Sequence, residues 1–78
     1  MTYDIPDDLR TPEVEAWFGR RGRIWAAAQR TNDPKVRRGH RAALWVLGID
    51  PLAVRLGLLP IAEHAEGDQI KLTEFLDA

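Results

Sequence analysis

Glu63, His64, Glu66 and Asp68 form the chain's closest gathering of acids and imidazole, and His40 is its other histidine. A zinc site needs ligands spaced so that their side chains converge, and this spacing matches no such pattern. Glu63 and His64 are adjacent and so point apart on a helix. The expected reading is a solvated acidic face. His40 falls on an apolar helical stripe, which predicts a core or boundary residue and not a base. The chain has no cysteine, hence no thiolate ligand, no disulfide and no Cys nucleophile. No Gly-rich phosphate loop follows a strand, and no Ser–His–acid set is suggested. The residues predict no catalysis, no metal and no cofactor.

Binding chemistry is better represented. "GRRGRIWAAAQRTNDPKVRRGHR", residues 19–41, holds Arg20, Arg21, Arg23, Arg30, Lys35, Arg37, Arg38 and Arg41 against Asp33 alone. Residues 1–15 set five acids against Arg10, and residues 50–78 set six against Arg55 and Lys71. The chain is therefore acidic, basic, acidic, and its formal net charge is only −1. Either the acidic arms cover the basic centre, of the same copy or a neighbour, or the centre faces an external anion.

The elements that must position these residues have clear beginnings. "TPEVE" places Thr11 at an N-cap with Pro12 behind it, and "DPKV" and "DPLAV" repeat the device with Asp33-Pro34 and Asp50-Pro51. Helices are predicted near residues 12–31, 34–47 and 51–58, with Gly48 ending the second. Pro60 is expected to begin a short fourth helix that stops by Gly67. The tail is expected to form a short strand around Ile70–Leu72 or a helical turn, and residues 1–10 read as extended. In the first helix Val14, Trp17, Phe18, Arg21, Trp25 and Ala28 share one stripe. Arg21 is the misfit. Either the helix breaks at "GRRG", or Arg21 snorkels from the stripe's rim. In the second helix Val36, His40, Ala43 and Leu47 align, while Trp45 points the other way beside Arg38 and Arg41. The fold class predicted is a single all-α domain over residues 1–78, a small orthogonal bundle of three to four short helices.

Three stretches resemble known binding elements. "GRRG" within "WFGRRGRIWAAAQRTN" resembles the GXXG loop of KH domains, which implies that Gly19, Arg20, Arg21 and Gly22 clamp a nucleic-acid backbone. A KH fold then needs a strand where this sequence has the helix start Asp33-Pro34. The alternative for the same residues is a helix-breaking turn, which is preferred. "LGIDPLAVR" resembles the turn of a helix-turn-helix motif through Leu47, Gly48, Ile49 and Val54. Its would-be recognition helix carries one polar side chain, Arg55, so two core helices joined by a tight turn are preferred. "QIKLTEFL" resembles the clamp-binding peptide of replication proteins at Gln69, Leu72 and Phe75. The preferred reading is a terminal segment docking Ile70, Leu72, Phe75 and Leu76 on its own core.

A chain of 78 residues buries about 60–65% of its unfolded surface, so its stability is modest and a stabilising partner fits. No apolar run reaches the roughly 18 residues of a membrane span. "MTYDIPDDLR" has no basic-then-apolar pattern, so no signal peptide is expected. The expected location is the cytoplasm, or the virion or host cytoplasm if the chain is phage-encoded. The expected function is a non-catalytic protein-interaction or assembly subunit, a phage-type structural protein or a small protein inhibitor. Its partner would be an acidic protein surface, a second copy of the chain included, and not a membrane. The residues expected to make that contact are Arg20, Arg21, Arg23, Arg37, Arg38, Arg41 and Trp45. The alternative is a single- or double-stranded nucleic-acid-binding module using "GRRG" and the arginine face.

Overall fold

The computed structural model describes residues 3–77, with side chains as far as Gly67. Four helices follow one another: α1 (Pro12–Arg30), α2 (Pro34–Gly48), α3 (Pro51–Leu56) and α4 (Leu58–Asp77). There is no strand among the described residues. The all-α bundle is as the sequence predicts.

The three capped starts form as expected, because each signal is local. Thr11 Oγ1 accepts from the Val14 amide at 3.3 Å. Asp33 Oδ1 accepts from the Lys35 amide, and Asp50 Oδ1 from the Leu52 amide, both at 2.9 Å. Each satisfies an amide that has no partner inside its own helix. The N-terminal segment departs from a fully extended chain: Asp7–Leu9 form one 3₁₀ turn, closed by Leu9 N–H to the Pro6 carbonyl at 3.0 Å. Ile5, just before it, is buried in the core.

Helix α1 runs unbroken through "GRRG". Glycine costs about 1 kcal/mol against alanine inside a helix, yet neither Gly19 nor Gly22 ends this one. Val14, Trp17 and Phe18 before them and Trp25 and Ala28 after them are all buried on the same stripe, so a break would strand half of it. Gly22 also makes room: a Cβ there would stand 3.3 Å from Tyr3 Cε2. Both sequence alternatives for Arg21 are thus corrected. The helix does not break, and Arg21 does not snorkel. It is buried.

Helix α3 ends at Gly57, which adopts the left-handed conformation (φ 67°, ψ 40°) and donates its N–H to the Ala53 carbonyl. Glycine alone enters that region without a Cβ penalty. The chain turns there and α4 begins at Leu58, two residues before the predicted start. Pro60 then lies in the first turn, where a missing N–H breaks no helical bond. The stop expected at Gly67 gives way to continuous helix to Asp77, and of the tail's two readings, a strand around Ile70–Leu72 or a helical turn, the helical one forms. A lone strand has no ladder to join here, whereas extending an existing helix adds one bond per residue.

The core gathers Ile5, Val14, Trp17, Phe18, Leu47, Ala53, Leu58 and Ala62. Trp17 and Phe18 meet edge to face at 4.9 Å, and Tyr3 lies 5.2 Å from Phe18. Trp17 Nε1–H donates to the Leu47 carbonyl at 3.0 Å, fixing the C-terminal end of α2 on α1. That carbonyl belongs to the last turn of α2, where it also accepts from the Asp50 amide at 3.3 Å. Of α2 only Leu47 is fully buried and His40, Ala43, Leu44 and Gly48 are half-buried; the remaining positions are exposed.

Candidate protein-interaction surface

On α2, Arg37, Arg41 and Trp45 stand at intervals of four residues, with Arg38 beside them. Such a spacing stacks side chains along one face, about 6 Å apart along the axis. Two clefts adjoin this row. The first, about 210 Å³, is lined by Asn32, Pro34, Arg37, Arg38 and Arg41. The second, about 320 Å³, has Leu44, Ile49 and Leu59 among its walls, with Arg41, Trp45 and Glu63 at its edges. Arg41 lines both. One helical face therefore offers an anion-accepting cleft joined to an apolar one.

The electrostatics are open to a ligand. Arg37 Nη2 donates to the Thr31 carbonyl at 2.8 Å, which anchors that guanidinium against the α1–α2 linker without neutralising it. Among the described residues none of Arg20, Arg23, Arg37, Arg38 and Arg41 forms an ion pair. Trp45 is 67% exposed, and Val46 and Ile49 beside it are 59% and 53% exposed. An indole left in water forgoes a burial of some 150–250 Å², so its exposure is a departure from ordinary packing.

The seven residues predicted to meet a partner do not form one surface. Arg37, Arg38, Arg41 and Trp45 come together on α2. Arg20 and Arg23 are exposed on α1 but line neither cleft. Arg23 instead borders a separate depression with Tyr3, Ile5, Phe18 and Trp25, and its Nη1 stands 3.6 Å from where a Gly19 Cβ would be. Arg21 is corrected outright. It is 5% exposed, with Nε and Nη2 donating to Glu66 Oε2 and Oε1, both at 2.7 Å. Tyr3 Oη–H adds a bond to Glu66 Oε2 at 2.8 Å, and Arg21 Nη1 reaches the Leu44 carbonyl at 3.4 Å. Glu66 likewise leaves the solvated acidic face assigned to it: it is 4% exposed, while Glu63 and His64 remain exposed. The side chain of Asp68 lies outside the described residues.

This buried trio was missed by sequence reasoning. Arg21 on an apolar stripe was its signal, but the partner is 45 residues away. Tyr3 and Arg21 both hold their protons near neutral pH. Burial, then the bond to Glu66 and its charge, push the Tyr3 hydroxyl well above its usual value. Burial works against the Arg21 charge, but Glu66 outweighs it and holds the guanidinium above its ordinary value. A phenol and a cation held so firmly protonated neither give nor take a proton, so the trio joins α1, α4 and the N-terminal segment.

The resemblances fare differently. "GRRG" lies inside a continuous helix with Arg21 buried, so no GXXG loop is formed. At "LGIDPLAVR" α2 and α3 are joined by a tight turn, as preferred. Val54, an apolar position of the motif, is 67% exposed, and α3 is six residues long. The side chains of "QIKLTEFL" lie outside the described residues. Among the described residues no group of three or more His, Cys, Asp or Glu side chains is placed to hold a metal ion. No described helix is long and apolar enough to cross a membrane. The chain matches no protein-family model, no curated protein and no solved structure.

Proposed function

We propose that this chain is a non-catalytic protein-interaction or assembly subunit. Its outer α2 face, Arg37, Arg38, Arg41 and Trp45, meets an acidic protein surface. The observation that carries this reading is Trp45, two-thirds exposed beside Arg41, which forms no ion pair among the described residues. Exposed Trp and Arg side by side are the residues that dominate binding energy at protein interfaces. The small size, the lack of cysteine and the polarised charge suit a phage-type structural protein or a small inhibitor, working in the cytoplasm or in a virion.

A nucleic-acid partner is the second reading, favoured by the three guanidinium groups around the smaller cleft. Against it stand the exposed acids Asp4, Asp7, Asp8, Glu13 and Glu15 and a pI of about 6.1. A photo-crosslinking residue at position 45, with a control at exposed Val54, tests the choice in the native source. The expected adducts are proteins, formed from position 45 and not from 54. Equal adducts from both positions, or adducts to nucleic acid, overturn the reading. Titration with single- and double-stranded oligonucleotides at low salt is expected to show nothing tighter than micromolar. Tighter, salt-sensitive binding lost in R38A/R41A would reverse the preference.

A further inference from the structure

Resting on that reading, we infer that the partner presents an acidic peptide segment with one large apolar side chain, seated across the two joined clefts of α2. The larger cleft is lined by Leu44, Ile49 and Leu59 with the exposed indole of Trp45, and by Arg21, whose guanidinium is already held by Glu66. That chemistry takes a Leu-, Ile- or Phe-sized group, not a phosphate or a sugar. The smaller cleft presents three guanidinium groups with no carboxylate partner among the described residues. That chemistry takes carboxylates, bidentately where geometry allows. Arg41 belongs to both clefts and stands one helical turn, roughly 6 Å along the axis, from Trp45, so the two groups of the ligand lie close together. A helical segment achieves this with Asp or Glu three or four positions from the apolar residue.

Glu63 sets the orientation. It borders the apolar cleft from α4 and repels a carboxylate placed there, so the ligand's acid is directed to the Arg38 side. A second copy of the chain fits less well. Its exposed acids Asp4, Asp7, Asp8 and Glu13 match the guanidinium groups in charge. But Ile5 and Val14 among them are buried and Leu9 is half-buried, so among the described residues no exposed apolar group accompanies them to fill the larger cleft. A foreign segment supplies both.

The test is a display library of random 16-residue peptides panned on the full chain at moderate salt. The expected consensus pairs Asp or Glu with Leu, Ile or Phe within four positions. Affinity of the enriched peptides should fall about tenfold or more in Trp45→Ala and in Arg41→Glu. It should hold within about twofold in Val54→Ala, which lies on α3 and borders neither cleft. A basic or wholly polar consensus, peptides that bind all three variants equally, or no enrichment would overturn the inference. So would light scattering that shows self-association abolished by Trp45→Ala with no peptide enriched. Both variants replace exposed residues, so a circular dichroism spectrum matching the parent separates lost binding from lost fold. If position 45 crosslinks to protein while the library fails, only this inference falls. If position 45 crosslinks to nucleic acid, the functional reading falls with it.

Discussion

Glu66→Gln is the sharpest perturbation of this fold. The substitution keeps the shape of the side chain and removes its charge. Glu66 and Arg21 are 4% and 5% exposed, so solvent cannot replace what is lost. Two charge-assisted bonds of 2.7 Å join them, and an amide group can accept at only one of its two terminal atoms. Leaving a buried charge without its counter-ion costs about 3–5 kcal/mol. A domain of this length has a total stability of about 4–12 kcal/mol. The loss is therefore about a quarter of the total or more. Urea unfolding followed by tryptophan fluorescence reads it, because Trp17 and Trp25 are buried. With a slope near 1 kcal/mol/M the midpoint should fall by about 3 M or more. The paired replacement R21M/E66L removes both charges and should stay within about 2 kcal/mol of the parent, since a buried ion pair gains little over apolar packing. Strong non-additivity between the single and double variants is thus expected. A Glu66→Gln loss under about 1 kcal/mol, or single losses that merely sum, would refute the reasoning.

Two further outcomes follow from the same geometry. Tyr3 is the chain's sole tyrosine, and its hydroxyl is held above the ordinary tyrosine value of about 10; the folded state thus keeps a proton that the unfolded chain releases above that value. Stability should be level below pH about 10 and fall as pH rises beyond it. Tyr3→Phe should remove that part of the decline, as read in urea midpoints across alkaline pH. The second concerns two glycines: Gly57→Ala should cost about 1 kcal/mol or more because of its left-handed backbone. Gly39→Ala, inside α2 with nothing within 4 Å of a new Cβ, should gain about 0.5–1 kcal/mol. Thermal melts distinguish the opposite signs.

Most of the helical framework is legible in short stretches. Thr11-Pro12, Asp33-Pro34 and Asp50-Pro51 announce their helices because cap, ring and amide lie within four residues of one another. The apolar stripe of α1 is equally plain. The start of α4 is less so. Pro60 looks like the first residue of a helix, and what moves the start back to Leu58 is the left-handed turn at Gly57, a backbone conformation that glycine permits but does not announce. The candidate surface was legible in part. The spacing of Arg38, Arg41 and Trp45 places them on one face, but their exposure depends on which side of α2 meets α1.

What the linear order of residues determined is therefore local: where helices begin, which face of each is apolar, and that positive charge is concentrated in the middle of the chain. Tertiary structure alone decided which of those charges remain available. Arg21 and Arg41 have the same chemistry and lie in the same basic stretch. One meets a carboxylate 45 residues away inside the protein, and the other meets none among the described residues. The difference comes from the packing of α4 against α1, a contact between distant segments that no neighbouring residue encodes.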